Sequence, residues 1–133
     1  MNPYFFLISA FYIFGIFYWA DSPMTAQIGV FNFFSLLHIP LYGILTVFLA
    51  LAFWTGQNNI SGLRYILAAL IATMVGILDE IHQSFIPTRD ASITDVLLDA
   101  TGVLLAIFLF RRILFSLWIG FVQKIKGHMA KGE

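Results

Sequence analysis

The chain has 133 residues, of which 60% are hydrophobic, 17% aromatic and 11% charged, with a net charge of +0 and a mean hydropathy of +0.90. Those values exclude an ordinary water-soluble domain, and with no basic, aromatic-interleaved patch nucleic acid is not expected as a partner. With Cys 0 there is no disulfide framework, no thiolate ligand and no thiol nucleophile.

Four apolar runs, each about 20 residues long as a bilayer crossing requires, divide the chain. The first covers Pro3 to Trp19 and stops at Ala20-Asp21-Ser22-Pro23, a turn-forming cluster. It lacks a basic start and a small-residue cleavage site, so it is expected to be retained as a span. The second runs from Ser35 to Trp54 with His38 and Pro40 near its start, and Thr55-Gly56-Gln57-Asn58-Asn59 closes it. The third runs from Arg64 to Phe85 or Ile86, where Pro87 ends it, and the fourth from Ser92 or Ile93 to Phe110. Runs this long and uniformly apolar must be helices, because each segment has to satisfy its own backbone in hydrocarbon. The expected fold class is therefore all-α: a single polytopic membrane domain spanning 1–133 with four transmembrane helices. The stretch 113–126 either continues the fourth helix or forms an interfacial helix, and 127–133 is a basic tail.

Orientation follows from positive charge. Four spans place both termini and the loop after span two on one side, which then holds Arg64, Arg111, Arg112, Lys124, Lys126 and Lys131, leaving Arg89 opposite. The positive-inside rule puts the termini in the cytoplasm of a bacterial inner membrane. Every acid except Glu133 then falls in the outward half.

These acids are the chemical content of the chain. Ionisable groups inside spans are costly and mark functional sites by default, and the loop from Pro87 to Ala91 makes spans three and four antiparallel neighbours. At about 1.5 Å per residue, Asp79 lies roughly 12 Å and His82 roughly 7 Å below Pro87, while Asp95 and Asp99 lie roughly 5 Å and 10 Å below Ser92. His38 and Tyr42 occupy the same half of span two, so three segments converge on one outward layer.

Asp79 shares a helix face with His82 and Gln83, while Glu80 points about 100° away. The acids beside a His can supply a general base or two ligands for a hard divalent cation, or they can form an interhelical network that only holds the bundle together. Their linear spacing is no metal signature, and neither metal nor cofactor is expected. Ser92-Ile93-Thr94-Asp95 fits a capping box. The same helix start, with Arg89 before it, also suits an anion. Arg89 could alternatively pair only with neighbouring acids.

The residues Asp79-Glu80-Ile81-His82-Gln83-Ser84-Phe85-Ile86-Pro87-x-Arg89, then Ser92-x-x-Asp95, then Asp99-x-x-Gly102, resemble the signature of the VanZ-like membrane proteins. His38-x-x-x-Tyr42 resembles the family's second helix, and the resemblance covers about 36–110. Asp99 stands where Asn is common and Thr88 where Gly is common. The family is named for a protein associated with low-level resistance to teicoplanin, a glycopeptide acting on outward-facing cell-wall precursors. The resemblance thus implies a cell-envelope role without supplying a reaction.

The sequence accordingly points to an outward pocket that binds a membrane lipid head group or a lipid-linked envelope precursor; if the protein is an enzyme, the expected reaction is hydrolysis or transfer at a phosphate or ester. Asp79, Glu80, His82 and Asp95 are the candidate catalytic groups, and Arg89, Gln83, Ser92, Asp99, His38 and Tyr42 the candidate binding groups. A non-catalytic protein that shields such a precursor is the alternative. Ion- or proton-coupled transport ranks last, because the inner halves of the spans offer almost no ionisable residue.

Overall fold

The computed structural model describes residues 1–21, 33–54, 62–87, 91–114, 116, 119–120 and 122–123. Four α-helices account for most of them, with no strand among the described residues: α1 (Pro3–Ala20), α2 (His38–Ala52), α3 (Gly62–Gln83) and α4 (Ile93–Leu109). All four lie in segments long and apolar enough to cross a membrane, the second span beginning at Ser35 and the fourth reaching Arg112. Spans of 18 to 22 residues are about 27 to 33 Å long, matching a hydrocarbon core of about 30 Å.

Local chemistry sets the helix ends. Asn2 caps α1 by accepting the Tyr4 N–H at 3.1 Å, with Pro3 in the first turn, where a missing N–H costs nothing. The Asn2 N–H also donates to the Ala52 carbonyl at 2.7 Å, tying the start of α1 to the end of α2. A 3-10 turn over Phe33–Leu37 feeds directly into α2, and Pro40 is tolerated in that helix's first turn. At the end of α3 the chain tightens, with Phe85 N–H donating to the His82 carbonyl and Ile86 N–H to the Gln83 carbonyl. The helix therefore ends at Gln83 and a short turn carries the chain to Pro87, two or three residues earlier than the apolar run suggests. Beyond α4, Phe110–Leu114 winds as a π-type turn that carries Arg111 and Arg112. Half of 113–126 lies outside the described residues.

The helices pack through small residues and a few large ones. Ala68, Ala72 and Gly76 recur every fourth residue along the buried stripe of α3, the small-residue spacing that lets membrane helices approach. The most extensive interface joins α2 to α4. At its centre a Cβ added to Gly102 would collide with the Ile39 carbonyl oxygen and lie 3.0 Å from the Ile39 Cα. Tyr42, Leu45, Leu49, Ala72 and Val103 form the buried core. Helix α1 is apolar all round and exposes Tyr4, Phe11, Phe14 and Tyr18, as suits a surface bathed in lipid. It is pinned by the Tyr12 hydroxyl, which donates to the Leu41 carbonyl at 3.2 Å, and by an edge-to-face contact of Tyr12 with Phe48 at 5.4 Å.

Candidate functional site

The start of α2, the end of α3 and the start of α4 meet at one end of the bundle, and their polar side chains bond across the helix interfaces. His38 Nδ1 lies 2.8 Å from Asp99 Oδ1, joining α2 to α4. The Tyr42 hydroxyl donates to Asp79 Oδ2 at 3.1 Å, joining α2 to α3. Gln83, one turn along from Asp79, donates its amide to the same oxygen at 3.0 Å. Glu80 Oε2 accepts the Ser92 backbone N–H at 2.8 Å, joining α3 to α4. The layer is deeply set: Asp79, Glu80, Gln83 and Asp99 are at most 5% exposed. His38 is 13% exposed at its side chain, and Asp95 is half-buried.

Each pairing has a local cause. Gly76 stands beside Asp99, where a Cβ would lie 2.7 Å from Asp99 Oδ2, so the absent side chain is what admits the carboxyl group. The His38 and Tyr42 rings, one helical turn apart, stack at 6.2 Å with an interplanar angle of 14°. They carry the Asp99 and Asp79 contacts as parallel plates. Thr46, a further turn along, returns its hydroxyl to the Tyr42 carbonyl at 2.7 Å and needs no other partner.

Two local readings of the sequence differ from the geometry. Ser92 does occupy the N-cap of α4, but its side chain makes no capping bond. Its N–H, which Asp95 would receive in a capping box, is taken by Glu80. The same contact places a carboxylate of the chain itself at the helix start, where the sequence allows an external anion. His82, three residues from Asp79, turns instead toward α1. It packs edge-on against the Phe17 ring at 5.5 Å and its Nε2 lies 3.5 Å from Asp21 Oδ1. The helix-wheel angle of about 60° between positions three apart is enough to put the two side chains against different neighbours. Arg89 lies outside the described residues.

One juxtaposition has no counterpart in the linear spacing: ligand-type atoms of His38, Glu80 and Asp95, one from each of α2, α3 and α4, all lie within 4.8 Å of one another. Linear motifs detect ligands on a shared helix or loop, and these come from three. Gly43 and Gly76 also escape a reading by chemical group, although both flank the site: a Cβ on Gly43 would lie 3.4 Å from the Gly102 carbonyl oxygen. The signal for both is a small residue within an otherwise bulky apolar run.

Comparisons with curated proteins and with solved structures give no match. The sequence profile of the family described as VanZ/LLP1 matches residues 4–117, a range that contains all of the four helices but Pro3 and every residue of the polar layer. The chain is therefore a member of the VanZ/LLP1 family.

Proposed function

We propose that this end of the bundle faces away from the cytoplasm and binds the head group of a membrane lipid or a lipid-linked cell-envelope precursor, acting on it by hydrolysis or transfer at a phosphate or ester. The observation that carries the reading is the His38–Asp99 contact at 2.8 Å, made inside spans that are otherwise apolar. A carboxylate on Nδ1 fixes the imidazole tautomer and leaves Nε2 to meet a ligand. Glu80 and Asp95 stand beside the His38 ring, and carboxylates accept hydrogen bonds from the hydroxyl and amino groups that head groups carry. The orientation is supported by the opposite end, where Arg111 and Arg112 leave α4 and Arg64 begins α3.

The test is purified protein in lipid nanodiscs, offered head-group-labelled lipid phosphates and lipid-linked sugars and read by mass spectrometry. Native protein is expected to retain and convert at least one of them, with His38→Ala and Asp99→Asn abolishing conversion. Retention without conversion assigns the accessory, shielding role. A native protein that neither retains nor changes any of them removes the proposal. In cells, either role predicts a change in glycopeptide susceptibility that is lost with His38→Ala.

A further inference from the structure

We infer that His38, Glu80 and Asp95 bind one divalent transition-metal ion, held from three helices at the mouth of the polar layer. The inference stands on geometry and does not depend on which lipid is bound. Donors on a common tetrahedral ion at about 2.0 to 2.2 Å lie about 3.3 to 3.6 Å apart. The three donor atoms here are within 4.8 Å of one another, so side-chain adjustments of about 1 Å bring them into one coordination sphere.

The surroundings of each donor fit the role. A metal-binding His nearly always gives its other ring N–H to a carboxylate, which orients the ring and raises its basicity. Asp99 does this for His38, at 2.8 Å on Nδ1, leaving Nε2 to coordinate. Glu80 is 5% exposed, and its orientation is fixed because Oε2 holds the Ser92 N–H. Its other oxygen, Oε1, is buried and has no hydrogen-bond partner among the described residues. A buried carboxylate oxygen in that state is costly, and a cation satisfies it. Asp95 supplies the third donor because Glu80 has taken its place at the helix cap.

Charge points the same way. Among the described residues, Glu80 and Asp95 form no ion pair with Lys or Arg, and taking carboxylates out of water without a cation is expensive. One divalent ion neutralises Glu80 and Asp95 together. One imidazole and two carboxylates, with no thiolate in the chain, form a nitrogen and oxygen set suited to Zn²⁺ or Mn²⁺. Three protein donors leave a position open, and an oxygen of a phosphate or ester is the ligand class that would fill it.

The experiment uses the full chain in detergent, stripped with chelator and then given Zn²⁺ alone or Mn²⁺ alone, with no lipid substrate. One ion per chain is expected to survive dialysis. X-ray absorption of the Zn²⁺ form should show a single imidazole with oxygen donors. His38→Ala, Glu80→Gln and Asp95→Asn should each lose the ion. Asp99→Asn should weaken it about 10- to 100-fold by freeing the imidazole. The double variant His82→Ala/His128→Ala, which removes the other histidines, should bind as the native chain does. If native protein retains no ion, if its spectrum shows two imidazoles, or if the double variant is the one that loses the metal, the site does not exist. The native measurements decide the question even where a variant fails to fold, and lipid conversion plays no part in any of them.

Discussion

Glu80 accepts the backbone N–H of Ser92 at 2.8 Å and so fills, from a neighbouring helix, the place that Asp95 would fill in a capping box within α4. The contact spans the α3–α4 turn and releases Asp95 to face His38. Glu80→Ala should therefore leave a partly buried N–H without its partner and cost about 1 kcal/mol of stability. Glu80→Gln keeps an acceptor oxygen and should cost less. Unfolding followed by circular dichroism in mixed micelles checks the order, and equal losses for the two variants would count against the contact.

Gly102 makes the closest backbone approach between α2 and α4. Adding a methyl group there, as Gly102→Ala, should force the helices apart and destabilise the bundle by about 1 to 3 kcal/mol. Gly15, whose added Cβ would meet nothing within 4 Å, provides the matched control. Gly15→Ala should be neutral or slightly stabilising, since Ala is the better helix former. The same unfolding assay separates them.

Tyr42→Phe removes the hydroxyl that bonds Asp79 at 3.1 Å while keeping the ring stacked on His38. Interhelical hydrogen bonds in membranes average about 0.6 kcal/mol and reach about 1.7 kcal/mol. A double-mutant cycle of Tyr42→Phe with Asp79→Asn should return a coupling in that range. Tyr42→Phe with His82→Ala should be additive, because His82 faces α1.

Gly76→Ala should disturb a histidine that it does not touch. A Cβ at this position would lie 3.2 Å from the Asp99 Cβ and 2.7 Å from Asp99 Oδ2, so Asp99 must shift and its hold on His38 Nδ1 must weaken. The ¹⁵N resonances of the His38 ring should move in Gly76→Ala and stay put in Gly15→Ala. An unmoved His38 signal would show that the carboxyl group has room to spare.

Because the chain has Cys 0, single cysteines report topology cleanly. Ser84 and Gly62 are exposed at opposite ends of α3. Ser84→Cys should react with a membrane-impermeant maleimide in intact cells, and Gly62→Cys only after permeabilisation. The reverse pattern would invert the orientation proposed for the polar layer.

How much of this was legible in the sequence depends on the range over which each feature is decided. The spans were legible because a bilayer imposes one length and one polarity on each segment, and Pro3, Pro40 and Pro87 sit where a helix start or stop tolerates them. The shared depth of His38, Asp79 and Asp99 was legible from rise per residue, and the bonds among Tyr42, Asp79, His38 and Asp99 lie at that depth. What failed was competition. Ser92 with Asp95 satisfies the local capping rule, and nothing local reveals that a carboxylate 12 residues earlier takes the N–H first. His82 lies close enough to Asp79 on a helical wheel to share its surroundings, and only the position of α1 decides otherwise. The grouping of His38, Glu80 and Asp95 depends on how three helices rotate about their axes, which hydropathy leaves undetermined.

The near-contact of Gly102 with the Ile39 backbone has one more consequence. It clamps two rods together immediately beneath the His38–Asp99 pair, and Leu45, Leu49 and Val103 fill the space below it. On that side the polar layer is closed off by apolar packing. A molecule reaching the imidazole would have to depart through the same doorway, so the seam favours a protein that works on one leaflet over one that conveys cargo across both.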